Sequence, residues 1–356
     1  MALVKLNEDK LLHNYKKLDK IFQEKNIEWG VVTKLLCGTS LYLEKLIEIG
    51  VREMHDTRLS NIRRIKKLCP DVQTVYIKPP AKRNVPKIIK YADVSFNTEF
   101  STIRLLSDEA VLQDKMHKVI IMVEMGDLRE GVMGEKLIDF YSKVFELPNI
   151  TIIGLGTNFN CLNGILPNKE KLEQLCQYKT TIETKFGQHI PWVSGGTSVT
   201  LSLLLQGQIP PEVNHFRIGE ALFFGNDLIS GGTFEGFHTD IFTLYAQIIE
   251  LREKPVVPDG EQIENVAGFI PEFQEEDKDK KTVRAILDLG LLDVKTEFIM
   301  PEDENIQIIE ASSDMLVMDL GDNKQHYKTG DFISFKLRYM GALSLMNSFY
   351  IEKIIG

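Results

Sequence analysis

The chain has 356 residues, enough for a large buried core and, on length alone, for two domains. Its 42 lysines and arginines stand against 51 aspartates and glutamates, a net charge of −9, which argues against nucleic acid as a partner because a phosphate backbone selects a basic surface. No stretch reaches the roughly 18 apolar residues of a membrane helix, the start Met1-Ala2-Leu3-Val4-Lys5 lacks a signal peptide's apolar core, and Cys37, Cys69, Cys161 and Cys176 follow neither zinc nor disulfide spacing, so a soluble cytoplasmic protein is expected.

In chain order, Leu11, Leu12, Tyr15, Leu18 and Phe22 are spaced for one face of a helix that ends near Gln23. Apolar runs follow at 29–34, 53–56, 74–78, 94–97, 118–124, 151–157, 191–194 and 215–218. Helical periodicity lies between them, as in Leu43, Leu46 and Ile47, then Ile62, Ile65 and Leu68, then Leu137, Phe140, Val144 and Phe145. Strands alternating with helices predict a parallel sheet, and eight such units predict a closed (β/α)8 TIM barrel over residues 8–228. The alternative is a doubly wound open sheet, which would carry a glycine-rich phosphate loop after its first strand; Lys34-Leu35-Leu36-Cys37-Gly38 is not one. The basic run Arg63-Arg64-Ile65-Lys66-Lys67 reads as a solvated helix face.

Beyond residue 228 the texture changes to β-rich runs, Phe242–Ala246, Val283–Leu287, Met315–Met318 and Phe332–Phe335, separated by turn clusters such as Pro258-Asp259-Gly260. A C-terminal all-β domain over 229–356 is expected, with Gln274–Lys281 as an exposed loop.

The barrel predicts where the chemistry sits, because its parallel strands all end on one face. Lys34 offers an amine there, Arg129 and Arg217 fixed positive charge, and Asn158, Ser194, Thr197 and Ser198 neutral hydrogen bonds. Ser194-Gly195-Gly196-Thr197-Ser198, followed by a leucine-rich helix, reads either as a helix cap or as a small-residue turn whose N–H groups approach a phosphate. Lys34 reads either as an ordinary barrel lysine or as one sealed at an apolar strand end, where desolvation lowers the pKa and frees the neutral amine to attack an aldehyde. Amine and phosphate turn together fit a phosphorylated aldehyde cofactor. His13, His117 and Cys37 are read as hydrogen-bonded or packed side chains, and no metal site is expected.

Val31-Val32-Thr33-Lys34 resembles the cofactor-lysine strand of the alanine racemase-like pyridoxal-phosphate enzymes. The likeness continues through Asp56–Ile62, Ala92–Glu99, Val123–Val132, Gly156–Phe159, Ser194–Ser198 and Arg217–Ala221 to Ser312-Ser313-Asp314 and Tyr339–Leu343, and is nearest to the ornithine racemase branch. The resemblance implies a barrel and a β domain that also recruits residues 1–7, paired head to tail so that each active site borrows its partner's β domain. It implies Lys34 as the holder of the cofactor aldehyde and shuttle of the α-proton, and Arg217 facing the pyridine nitrogen. Arg129 would lie near the ring hydroxyl or the substrate carboxylate, and Asn158 beside the ring. Ser194 or Ser198, with Gly219, Glu220 and Tyr339, would hold the phosphate, Thr197 lying in the same turn.

One departure matters. Alanine racemases carry a catalytic tyrosine in a Gly-Tyr-x-Asp segment, and here Gly290-Leu291-Leu292-Asp293 has leucine. Inversion through a planar intermediate ordinarily uses an acid or base on each face, so either Lys34 works alone or another group serves, first Asp314, flanked by Ser312 and Ser313, and second Cys161. Asp314 equally suits the distal ammonium of a basic amino acid, and the likeness to the ornithine racemase branch implies ornithine ahead of lysine or alanine. A metal-dependent 3-hydroxy amino acid aldolase and a non-catalytic cofactor carrier are the competing functions; absent ligand spacing opposes the first and the second domain opposes the other.

Overall fold

The computed structural model describes residues 2–265, 268 and 270–356. The chain divides into two compact units, Asp9–Thr239, and Met1–Glu8 with Asp240–Gly356.

The first strand, β1 (Leu3–Leu6), belongs to the smaller unit. The larger unit then alternates helix and strand: α1 (Glu8–Glu24), β2 (Glu28–Val32), α2 (Ser40–Glu48), β3 (Glu53–Asp56), α3 (Leu59–Leu68), β4 (Gln73–Tyr76), α4 (Val85–Tyr91), β5 (Val94–Asn97), α5 (Phe100–Leu112) and β6 (His117–Met122). It continues with α6 (Leu137–Phe145), β7 (Ile150–Gly156), α7 (Lys169–Phe186), β8 (Trp192–Ser194), β9 (Gly196–Thr197), α8 (Leu201–Leu205), β10 (His215–Ile218) and α9 (Glu220–Phe224). Strands β2 to β8 pair in parallel in sequence order, and β10 pairs with β2. Strand seven is broken at Gly195: β8 pairs with β7, and β9 pairs with β10. The ring closes through that break, so the open-sheet alternative falls.

The helices follow from apolar spacing. In α1 the buried positions are Leu11, Asn14, Leu18 and Phe22, one stripe of a 3.6-residue period. Asn14 belongs to it because its amide donates to the carbonyls of Leu222 (3.0 Å) and His238 (2.8 Å), which pins the stretch after α9 onto α1. Residues 229–239 therefore pack with the barrel, and the break between units comes later than the change of texture near 228. Val75, Val94, Phe96, Ile120, Met122, Ile153 and Trp192 form one core cluster on the strands.

The smaller unit contains β11 (Phe242–Pro255), β12 (Lys281–Leu287), β13 (Ile299–Pro301), β14 (Gln307–Ala311), β15 (Leu316–Asp319), β16 (Phe332–Leu337), a short helix α10 (Tyr339–Asn347) and β17 (Glu352–Ile355). Its strands run in the order β13-β16-β11-β12-β15-β14, and β1 lies between β11 and β17. Phe242, Leu244, Ala246 and Ile248 alternate buried along β11, the period-two pattern of a half-buried strand. None of the four cysteines forms a disulfide, and among the described residues no helix is long and apolar enough to cross a membrane.

Candidate active site

Lys34 stands just past β2, in a 3₁₀ turn over Thr33–Leu36. Thr33 Oγ1 donates to Asp56 Oδ2 (2.9 Å) and to the His55 carbonyl (3.1 Å), and Asp56 also accepts from Arg58 N (2.8 Å) and Asn61 Nδ2 (3.2 Å). Burial pushes the Asp56 carboxyl up while these donors oppose the rise. The conspicuous stretch Asp56–Ile62 therefore fixes the turn that carries the amine. The lysine is not sealed as expected: its side chain is exposed in the protomer, because the turn lifts it over the strand end.

Arg217, on β10, is the buried cation. Its Nη1 donates to the Ser194 carbonyl (2.6 Å) and Ser194 Oγ (2.7 Å), its Nη2 donates to the Thr157 carbonyl (2.6 Å), and its guanidinium lies 5.4 Å from the Phe96 ring centre. Burial pushes the guanidinium down to about 10, which still leaves it charged at neutral pH. Ser194 is thereby committed beneath Arg217; of the two serines expected at a phosphate, only Ser198 stands at the turn.

The β6 and β7 loops are stitched together by Asp127, which accepts from Leu162 N (3.1 Å) and Asn163 N (3.0 Å) and whose carbonyl accepts from Asn163 Nδ2 (2.7 Å). This brings Cys161 into the charge neighbourhood of Arg129, whose guanidinium is gripped through Nε and Nη2 by Glu130. The Glu130 hydrogen bond comes first among the causes that raise the Arg129 pKa, partial burial opposes it, and Cys161 adds to it. Cys161, Glu130 and Arg129 also act electrostatically on Arg217, so the three lie in one charge neighbourhood with it. Asn158 lies at the same strand end, half-buried, its amide donating to the Phe159 carbonyl (3.3 Å).

The Gly-Gly turn has a packing cause that the sequence reading did not consider. A β-carbon on Gly196 would fall inside the Phe216 ring, and one on Gly195 would crowd Leu172, Leu175 and Val213. Thr197 and Thr200 form a capping box at the turn that leads into α8. Ser198 Oγ accepts from Ala221 N (3.1 Å) and Gly219 N (3.4 Å), so its own proton remains for an anion beside the start of α9. Glu220 is half-buried and burial raises its carboxyl, while Lys34 and Asn226 oppose the shift.

Two further buried groups fit a polar ligand: Thr157 Oγ1 and Asn97 Oδ1, at the ends of β7 and β5, have no hydrogen-bond partner among the described residues. Such groups cost about 1–3 kcal/mol each when left unpaired. An amine, a hydroxyl beside amide donors, a buried cation and unsatisfied polar atoms at one end of the barrel suit a phosphorylated aromatic aldehyde.

The smaller unit gathers its own expected residues. Leu291 N donates to the Ser312 carbonyl and Leu292 N to the Ser313 carbonyl, both at 2.9 Å, and a β-carbon on Gly290 would strike the Ser313–Asp314 backbone. The segment that has leucine where alanine racemases have tyrosine is thus laid against Ser312-Ser313-Asp314, and Asp314 is exposed. Tyr339 opens α10 and is not an aromatic of the β core.

Glu53, His55, His215, Thr157 and Glu130 are not among the site residues that the sequence singles out. Residues 53–56 were read as an apolar run although Glu53 and His55, two apart on a strand, share one face; that spacing was the signal. His117 bonds Ser95 Oγ at 2.8 Å and His13 the Gly236 carbonyl at 2.9 Å, hydrogen-bonded as expected.

The alanine racemase, N-terminal domain, family matches residues 6–227. An ornithine racemase of Acetoanaerobium sticklandii is 33% identical over 346 residues, covering 97% of each chain, and a lysine racemase of Thermotoga maritima is 30% identical over 349, covering 98% of this chain and 97% of that one. The crystal structure of alanine racemase from Bartonella henselae with covalently bound pyridoxal phosphate superposes with a TM-score of 0.73 at 15% identity, over 100% of this chain and 99% of that one.

Proposed function

The chain belongs to the alanine racemase family, and from that premise we propose that it interconverts L- and D-ornithine with pyridoxal phosphate bound at the C-terminal mouth of the barrel. Amino-acid racemisation with this cofactor comes with the family; the preference for ornithine and the residue roles are our reading. Bound pyridoxal phosphate supplies an electron sink for the charge left at the substrate's α-carbon.

Lys34 would hold the cofactor through its Nζ and would move the substrate's α-proton on one face. Arg217 faces the ring nitrogen as a cation that does not readily yield its proton, held there by Ser194 and Thr157. Ser198, with the amides opening α9, takes the phosphate, and Arg129, braced by Glu130, takes the ring hydroxyl or the substrate carboxylate. Cys161, a free thiol in the loop after β7, moves the proton on the opposite face. In the same reading two copies pair head to tail in the cytoplasm, and the partner's β unit brings Tyr339 to the phosphate and Asp314 to the substrate's distal ammonium.

The observation that carries the choice of a diamino acid is the pairing of Leu291 and Leu292 with Ser312 and Ser313, which sets a carboxylate beside the position where the alanine enzymes have tyrosine. The test incubates the holoprotein with each L-amino acid in deuterated water, following optical rotation and α-proton exchange. Ornithine should lose rotation fastest. Racemisation of alanine alone would overturn the substrate, and turnover of no amino acid would overturn the reading as a whole.

A further inference from the structure

Arg217 is buried, yet its hydrogen bonds to Ser194 and Thr157 all end on neutral oxygens. A buried cation is tolerated where charges compensate it, and Glu130 acts on this one electrostatically, but its aim depends on what orders those neutral oxygens. Inside the barrel lies one buried carboxylate on the same chain of contacts: Ser194 Oγ meets His215 Nδ1 at 2.6 Å, and His215 Nε2 meets Glu53 Oε1 at 2.9 Å. His55 Nε2 meets the same Glu53 oxygen. Trp192 stacks on the His215 ring at 4.1 Å and 13°, and a β-carbon on Gly30 would collide with His55 and Glu53, so the group is tightly enclosed.

The direction of each hydrogen bond follows from its donors. A guanidinium only donates, so Ser194 Oγ accepts from Arg217 and sends its own proton to His215 Nδ1. His215 then carries its proton on Nε2 and donates to Glu53. Burial alone would raise the Glu53 carboxyl, but the imidazoles of His215 and His55 hold it well below the usual carboxylate range. His55 Nδ1 is buried without a partner, and burial disfavours protonation of that ring, consistent with a bare acceptor at Nδ1.

We infer that Glu53 is a positioning residue for Arg217, acting through His215 and Ser194 to fix where the guanidinium points. Glu53 supplies the anion, His215 and Ser194 supply polarity, and Arg217 receives an oriented acceptor. The consequence for turnover rests on Arg217 facing the cofactor as proposed above; the hydrogen-bond order does not.

The test uses the holoprotein with ¹⁵N-labelled histidine. In the wild type His215 should appear as the Nε2–H tautomer, and a proton on Nδ1 would overturn the relay whatever the protein's activity. A stoichiometric metal ion held by Glu53, His55 and His215 would also overturn it, since the metal takes the nitrogen lone pair that the relay needs protonated. Glu53→Gln, which keeps the shape and removes the charge, should lower kcat about tenfold with KM within about twofold, the size of one hydrogen bond to a charged group. Ser194→Ala should do the same, and the double variant should be no worse than the poorer single one. Multiplied losses of roughly a hundredfold would show two independent sites and sink the inference. A wild type that binds the cofactor yet racemises nothing fails the proposed function instead, and leaves the tautomer result standing.

Discussion

Thr157→Val separates the energetics of the bare protein from those of the loaded one. Thr157 is fully buried at the end of β7, and its Oγ1 has no partner among the described residues, although the carbonyl of the same residue accepts from Arg217. An unpaired buried hydroxyl costs about 1–3 kcal/mol, and valine replaces it with a methyl group of nearly the same size. Freed of cofactor by hydroxylamine, the variant should therefore be more stable than the wild type by at least about 1 kcal/mol, a rise of about 2–4 °C in melting temperature. If the hydroxyl serves the ligand, the loaded protein should respond with the opposite sign, binding pyridoxal phosphate about two- to tenfold more weakly, the equivalent of one neutral hydrogen bond. The assay is paired: thermal melting of both apoproteins, and cofactor titration followed by absorbance. An apoprotein destabilised by valine would mean that the hydroxyl is already satisfied in the fold. Unchanged cofactor affinity would mean that Thr157 does not face the ligand, and either result refutes the reasoning.

Gly196→Ala drives a β-carbon into the Phe216 ring, itself packed 5.0 Å from Phe22, and should cost the apoprotein about 1–3 kcal/mol in urea unfolding; unchanged stability would show that β9 can move away. Asp314→Asn should raise KM for ornithine with kcat little altered if the carboxylate binds the distal ammonium, whereas a fall in kcat at constant KM would make it the proton carrier. Burial pushes His117 down to about 4 from an unfolded value of about 6.5, with the ring bound to Ser95. Because the folded pKa is the lower one, its contribution is complete above pH 6.5 and drains as pH falls towards 4, by about 3 kcal/mol in all. Urea midpoints at pH 7, 5.5 and 4 should therefore converge for His117→Gln relative to the wild type, and parallel curves would refute the shift.

The barrel was legible because its strands are short, apolar and regularly interrupted by helices, a rhythm that composition carries without any long-range information. The strand-end residues were legible for the same reason: Lys34, Arg129, Asn158 and Arg217 all lie at or just beyond the C-terminal end of a parallel strand, or in the loop that follows it. Their orientations were not. Ser194 and Ser198 are four residues apart in one small-residue motif, yet one hydroxyl turns under Arg217 and the other to the amides of α9, because the strand breaks at Gly195 between them. Lys34 reads as the last residue of an apolar strand, but the 3₁₀ turn anchored by Thr33 and Asp56 lifts it into the open.

The residues missed altogether share a physical cause. In a half-exposed sheet, polar side chains mark the solvent face, and alternation reveals it. A barrel strand is covered on both sides, by helices outside and by the opposite strands within, so a polar residue on either face looks like noise in an apolar run. β3 is Glu-Met-His-Asp with all four residues buried, and the polar ones are its content: Glu53 and His55 meet His215, and Asp56 holds the turn beside Lys34. An ionisable group in such a strand is tolerated only when partners from other strands satisfy it, and those partners are remote in sequence, 162 residues away for His215. Two polar residues spaced by two in a fully buried barrel strand therefore imply a third on a neighbouring strand. Here β3 and β10 flank β2, whose Gly30 leaves the space in which the three side chains meet.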